Sequence, residues 1–179
     1  MENLNGKIFE WIFSFAHRSM WLDQLGIFLA EYLAYILILS ALVLIFTEPG
    51  WKRRIFFFSH MVLVFILGRG ILVEAIHFFY PVLRPFAALG FTPLISESGF
   101  ALPSGHATIF FGLATVMFYI NKKWGVWYFV LATLMGVARV FTGVHWPLDI
   151  LAGALVGVAC GILVYYLLEI YFKKISLPQ

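Results

Sequence analysis

The sequence predicts an all-α fold: a polytopic membrane helix bundle of about five transmembrane helices with an N-terminal amphipathic helix. Composition supports this fold class first. Hydrophobic residues make up 63% of the chain, charged residues only 12%, and the mean hydropathy is +0.95. A soluble domain carries about 25% charged residues, so the composition is typical of a membrane protein. The second observation is that long apolar stretches recur along the whole chain.

Five stretches are apolar enough, and long or nearly long enough, to cross a bilayer, which takes about 20 residues in a helix. They run roughly over residues 25–46, 55–80, 105–121, 125–142 and 147–171. We interpret residues 1–179 as a single domain built from these spans. Residues 5–17 are too short and too charged to cross, but their apolar side chains recur at helical spacing. These side chains belong to Ile8, Trp11, Ile12 and Phe15. The spacing predicts an interfacial amphipathic helix.

Basic residues concentrate in the connections on one side of the predicted bundle. They are Lys52, Arg53, Arg54, Lys122, Lys123, Lys173 and Lys174. The positive-inside rule makes this side cytoplasmic, with the C-terminus inside and residues 81–104 and 143–146 outside. Because the net charge of +3 arises at the ends of apolar runs, we expect membrane lipids and no nucleic acid as partners.

Residues that suit a phosphate group lie in these outer connections. Arg84 follows the second span, Ser104, Gly105 and His106 begin the third, and Arg139 ends the fourth. Since no Cys/His cluster has the spacing of a zinc site, we predict no metal and no cofactor. Neutralising a phosphate then falls to arginine, assisted by free N–H groups at a helix start and by a glycine that lets the backbone approach closely. Taken singly, each residue also has a structural explanation, such as a helix cap or a membrane anchor.

Two histidines and a carboxylate could supply the chemistry. His145 and Asp149 are four residues apart, so they share one face if both lie on a helix. A carboxylate on one imidazole nitrogen fixes the tautomer and frees the other nitrogen to attack. His106 could then donate a proton to the leaving oxygen. Together these groups would suffice to hydrolyse a phosphomonoester or a diphosphate through a phosphohistidine.

Other ionisable residues fall inside predicted spans, where they are costly unless paired or functional. We hypothesise that Arg69 pairs with Glu31 or Glu74 and so holds the first two spans together below the site; independent solvation is the alternative. Glu74 and His77 are three residues apart and share a face, near enough to the outer end to contact the phosphate site.

Glycines recur every four residues on the last span, at Gly153, Gly157 and Gly161. Such a face of small residues permits close contact between helices in lipid. The pattern leaves open whether that face packs within the chain or in a homo-oligomer.

The polar residues resemble the signatures of the type 2 phosphatidic acid phosphatase superfamily. The second signature, Pro-Ser-Gly-His, is complete at 103–106, and the third is present as Arg139, five residues, His145, three residues and Asp149. Ala138 stands where the family has a serine. The first signature is partial, with Arg84-Pro85 in place but His77 at the position of the family's lysine.

The resemblance implies an integral membrane hydrolase and assigns roles to residues. It makes His145 the nucleophile, Asp149 its partner and His106 the general acid. It implies that the phosphate is bound by Arg84, Ser104, Gly105 and Arg139, with His77 as an additional contact in place of lysine.

The short length and the partial first signature are similar to the undecaprenyl-diphosphate phosphatases related to bacitracin-resistance proteins. This implies hydrolysis of undecaprenyl diphosphate to undecaprenyl phosphate on the outer face of the bacterial inner membrane, a step that recycles the cell-wall lipid carrier. Phosphatidylglycerophosphate, phosphatidate and lipid A are alternative substrates. A haloperoxidase has a similar cradle but is soluble and larger, and a scaffold or transporter would not need the His/His/Asp/Arg set.

Overall fold

The computed structural model describes residues 4–176, and these residues form an all-helical structure. The fold class predicted from composition is therefore confirmed. The helices in this range are α1 (Leu4–Phe13), α2 (Met20–Thr47), α3 (Trp51–Phe79), α4 (Pro85–Leu89), α5 (Gly105–Ile120), α6 (Lys122–Phe141) and α7 (Pro147–Ser176). By length and composition, α2, α3, α6 and α7 can each cross a membrane, and α5 is a shorter apolar helix of 16 residues.

Helix α5 lies at the centre of the bundle and is recessed at its start. More than half of its residues are buried, including Leu113 and Val116, and α6 and α7 both pack along it. Its first residue, Gly105, contacts Arg69, which lies ten residues before the end of α3. At about 1.5 Å per residue, the start of α5 is roughly 15 Å below the end of α3. The fold therefore places the second signature inside the bundle.

The glycine face of α7 packs against α5 within the chain, which answers the question that the sequence left open. A Cβ atom added at Gly157 would lie 2.3 Å from the carbonyl oxygen of Thr108, and one at Gly153 would lie 2.5 Å from that of Ser104. A Cβ added at Gly161 would instead lie 2.6 Å from the side-chain Cβ of Thr115. The backbone-to-backbone contacts at Gly153 and Gly157 fix α7 against α5.

This contact predicts a specific loss of stability. We expect Gly157→Ala to lower the free energy of unfolding by about 1–3 kcal/mol, because the new methyl group meets backbone atoms that cannot move alone. Gly70→Ala is the matched control, since the nearest atom to its Cβ would be 4.0 Å away. Thermal unfolding in detergent measures both. Equal midpoints for the two variants would contradict the packing described here.

Both long N-terminal helices contain a π-helical segment next to the site. The segment of α2 covers Phe28–Tyr32 and includes Glu31, and that of α3 covers Ile66–Val73 and includes Arg69. Such segments insert an extra residue into a turn and are frequent at functional sites. In α3 the small Gly68 lets the helix approach α5 closely.

Arg69 pairs with Glu74, which is one of the two partners that we expected. Both residues lie on α3, so the pair does not join the first two long helices. That part of the hypothesis is wrong, because Arg69 packs on Gly105 at the start of α5 and its ionic partner is on its own helix.

Helix α1 supports the connection between α6 and α7. Phe9 is buried, with its ring 5.0 Å from that of Trp146, and Phe13 packs on Phe91 at 4.5 Å. The side-chain oxygen of Asn5 accepts a hydrogen bond from the Leu148 N–H at 3.0 Å, in the first turn of α7. The helix ends earlier than the predicted range of 5–17, and it packs on the protein through a face that the apolar spacing did not identify.

Candidate active site

Hydrogen bonds join the three signature segments at one end of the bundle. The Ser104 N–H donates to the Asp149 carbonyl at 3.0 Å, which ties the start of α5 to the first turn of α7. Trp146 Nε1 donates to the Leu83 carbonyl at 3.0 Å, which brings the segment before α4 to the same place. The side chain of Ser104 also caps α5 by accepting from the Ala107 N–H at 3.3 Å. Segments far apart in sequence thereby form one site.

His145 lies at the bottom of this site, two residues before α7 begins. Its Nε2 is 3.1 Å from Arg84 Nη1, and since a guanidinium group only donates, Nε2 carries the free electron pair. On the other side of the ring, Nδ1 is 3.4 Å from Asp149 Oδ2. Nδ1 makes no hydrogen bond to Asp149 at this distance, and the carboxylate accepts one from the Trp146 N–H at 2.7 Å, which fixes its position. The arrangement leaves Nε2 as the nucleophilic atom, on the side of the ring that faces Arg84.

The electrostatic surroundings keep His145 neutral. Burial lowers the pKa of His145 well below its usual value, and the positive charges of Arg139 and Arg84 lower it further. A neutral imidazole is the form that can attack phosphorus.

We therefore expect the His145 ring to stay unprotonated when the pH is lowered from about 7.5 to about 5.5. NMR of ring-labelled histidine in detergent measures this, with the His145→Asn variant assigning the resonance by its absence. A titration midpoint at or above the ordinary histidine value of about 6.5 would contradict the burial and charge argument.

The two predicted phosphate-binding arginines converge on a single carboxylate. Glu97 contacts Arg139 at 2.5 Å and Arg84 at 3.4 Å. Burial alone would raise the pKa of Glu97, but the charges of Arg139 and Arg84 outweigh it and lower that pKa below its usual value. A phosphate carries more negative charge than a carboxylate, so it can compete with Glu97 for both guanidinium groups.

Glu97 was missed in the sequence, although it is the acidic residue in the loop that precedes the second signature. The loop also holds Arg84 through its backbone. Arg84 donates to the carbonyl groups of Ser98 at 2.9 Å and Gly99 at 3.2 Å. The sequence did contain a signal for this role, because Glu97 lies in a connection on the same side of the predicted bundle as Arg84 and Arg139.

A cavity of about 730 Å³ opens above these groups. The sequence-predicted residues that line it are Arg69, Glu74, His77, Arg84, Gly105, His106 and His145. Ser104 is buried beneath this surface as the helix cap. The structure thus brings most of the predicted catalytic and binding residues to one cavity, with Asp149 behind His145. Arg139 does not line this cavity and is connected to it through Glu97.

His77 does not simply replace the family's lysine as a charged contact. Its Nε2 lies 3.2 Å from the carbonyl oxygen of Pro103, so the ring donates a hydrogen bond to the backbone of the second signature. This contact connects α3 to the start of α5. Binding of phosphate by His77 stays a prediction.

A second cavity of about 450 Å³ adjoins the first, and both are lined by Glu97, His106 and Ile109. It lies between α2, α3, α5 and α6. Its walls are largely aromatic and aliphatic, with Tyr32, Tyr35, Ile38, Phe65 and Phe110, and it also contains Glu31 and Arg139. Glu31 therefore faces the site from α2 and is not a partner of Arg69.

Comparisons with known proteins relate most of the chain to one family. The family model of the PAP2 superfamily matches residues 28–172. BcrC of Bacillus licheniformis, named a bacitracin transport permease protein, is 33% identical over 165 residues, covering 91% of this chain and 80% of that protein. The undecaprenyl-diphosphatase BcrC of Bacillus subtilis is 30% identical over 169 residues, covering 90% of this chain and 83% of that protein.

Among solved structures, the crystal structure of LpxE from Aquifex aeolicus superposes with a TM-score of 0.75 at 29% identity, covering 91% of this chain and 95% of that one. The range matched by the family model, residues 28–172, contains the positions of all three signature segments. The chain therefore belongs to the PAP2 superfamily, and it is a multi-pass membrane hydrolase that acts on lipid phosphates.

Proposed function

We propose that this protein hydrolyses undecaprenyl diphosphate to undecaprenyl phosphate and inorganic phosphate. The observation that carries the proposal is the buried His145, whose Nε2 faces Arg84 and whose Nδ1 faces Asp149, beneath a cavity that also exposes His106. Support for a diphosphate substrate comes from relatives that are named undecaprenyl-diphosphatases and are about 30% identical over most of the chain. The expected partners are this lipid substrate and the surrounding membrane.

The proposed reaction has two displacements at the terminal phosphorus. His145 Nε2 attacks it, the bond from phosphorus to the bridging oxygen breaks, and the lipid phosphate leaves with a proton from His106. Arg84 and Arg139 neutralise the phosphoryl oxygens in the transition state. Water, deprotonated by His106, then cleaves the phosphohistidine and releases inorganic phosphate.

The shape of the molecule suits a substrate that stays in the membrane. The start of α5 is recessed between long helices, so a phosphate head can reach it while its tail stays among apolar side chains. We assign the tail to the second cavity, whose walls include Tyr35, Phe65 and Phe110. The positive-inside pattern supports a site that faces the outside or the periplasm of a bacterial inner membrane, with the C-terminus in the cytoplasm.

Another lipid phosphate is the second candidate substrate. Arg84 and Arg139 both contact the single carboxylate of Glu97, and this arrangement does not require a substrate with a second phosphate. Phosphatidylglycerophosphate, phosphatidate or lipid A could present that group. The substrate must therefore be decided by rates.

A phosphate-release assay in detergent tests the proposal. We expect the highest kcat/KM with undecaprenyl diphosphate, lower values with phosphatidylglycerophosphate and phosphatidate, and unchanged rates in excess EDTA. Faster turnover of either glycerolipid would replace the proposed substrate. Loss of activity in EDTA, restored by added divalent metal, would overturn the metal-independent mechanism.

A further inference from the structure

Besides Arg84, a second arginine lines the cavity of about 730 Å³, and neither the nucleophile nor the pair of Arg84 and Arg139 uses it. Arg69 comes from the π-helical segment of α3 and lines the cavity together with Arg84, His106 and His145. Its side chain is 42% exposed, whereas Arg139 is almost completely buried. Arg69 is therefore accessible to a ligand in the cavity.

The glycine of the second signature leaves the space that the Arg69 side chain occupies. A Cβ added at Gly105 would lie 2.6 Å from Arg69 Nε and 2.7 Å from its Cδ, so the arginine stem occupies the space that any other residue would fill. Gly105 directly precedes His106, the group that we propose to protonate the leaving oxygen. Arg69 thus lies beside the leaving-group end of the site, while Arg84 contacts the nucleophile.

The acidic partners of the three arginines also form two separate groups. Glu97 holds Arg84 and Arg139 together, and Glu74 separately holds Arg69. The Arg69–Glu74 pair is exposed on both sides, and exposed pairs of this kind are weak and easily exchanged for another anion. The cavity therefore offers two cationic positions, one above His145 and one near His106.

We propose that Arg69 binds the phosphate that remains on the lipid and so makes the enzyme prefer a lipid diphosphate to a lipid monophosphate. This inference rests on the proposed function and names the residue that selects its substrate class. When the bridging bond breaks, the lipid-bound phosphate gains negative charge, which a guanidinium group stabilises through paired hydrogen bonds. A lipid monophosphate has no group to place at that position.

The test compares kcat/KM for undecaprenyl diphosphate and for phosphatidate in Arg69→Gln, Arg69→Lys and Glu74→Gln. We expect Arg69→Gln to lower the diphosphate value at least about tenfold and the phosphatidate value less than about threefold. Arg69→Lys should lie between, because it keeps the charge and loses the paired geometry. Glu74→Gln should raise the diphosphate value, because it removes the carboxylate that competes with the lipid phosphate for Arg69.

Arg53→Gln is the matched control, since Arg53 also lies on α3, also pairs with a glutamate, and is remote from the cavity. It should change neither value. Equal losses on both substrates in Arg69→Gln, no loss on either, or the same loss in Glu74→Gln would each overturn the inference while leaving the proposed function standing. A wild-type enzyme that cleaves phosphatidate but not the diphosphate would overturn the proposed function, and this inference with it.

Discussion

His145→Asn is expected to abolish phosphate release from every lipid phosphate, with a loss of at least roughly 10⁴-fold in kcat. The imidazole Nε2 is the group that we propose to bond to phosphorus, and its electron pair is held beside Arg84 at 3.1 Å. Asparagine keeps a polar group of similar size next to Arg84 but offers no nucleophile. Steady-state phosphate release in detergent measures the effect.

A loss through misfolding must be separated from a loss of chemistry. The variant should keep the wild-type elution position in size-exclusion chromatography and should still bind the substrate, because Arg84, Arg139 and the cavity are retained. Arg53→Gln serves again as the active control. Turnover within about tenfold of wild type by a folded His145→Asn enzyme would remove His145 from the role of nucleophile.

His106→Ala is expected to have the second-largest effect, and the size of that effect should depend on the substrate. A general acid contributes about 10²–10⁴-fold. An alkoxide, which leaves from phosphatidate, is a far stronger base than the phosphate that leaves from a diphosphate. We therefore expect the larger loss of kcat/KM, which reports formation of the phosphohistidine and not its later hydrolysis, with phosphatidate, and a clearly smaller loss with undecaprenyl diphosphate.

The same two substrates and the same assay measure this difference. The expected order of sensitivity is opposite to that of Arg69→Gln, which should affect the diphosphate more. If His106→Ala affects phosphatidate more and Arg69→Gln affects the diphosphate more, the two results separate proton donation from charge stabilisation. Equal losses on both substrates in His106→Ala would argue against its protonating the leaving oxygen.

Local patterns in the sequence predicted much of the site, because counting the predicted spans assigns each connection to one side of the bundle. Counting the spans placed Arg84, His106 and His145 at one end, and the structure has them around one cavity. Ser104 before an apolar run predicted a helix start, and it caps α5. These inferences used only short spacing and the length that a helix needs to cross a membrane.

Those local patterns could not predict contacts between residues that are far apart in the sequence. Nothing local to Glu97 indicates that it joins Arg84 to Arg139, and nothing local to Arg69 indicates that it fills the space beside Gly105. Depth counted at the regular helical rise placed Arg69 near the level of Glu31 on α2, but the observed partner of Arg69 is Glu74 on the same helix, α3. Such features depend on tertiary packing.

The central claim is that His145 takes the terminal phosphate of a polyprenyl diphosphate. Rapid quenching of the enzyme with undecaprenyl diphosphate, radiolabelled in its terminal phosphate, tests it most directly. The account predicts an acid-labile label on the protein that mass spectrometry of peptides assigns to His145 and that is absent from the His145→Asn variant. Full turnover of the substrate with the label passing directly to water, or a label on another residue, would contradict it.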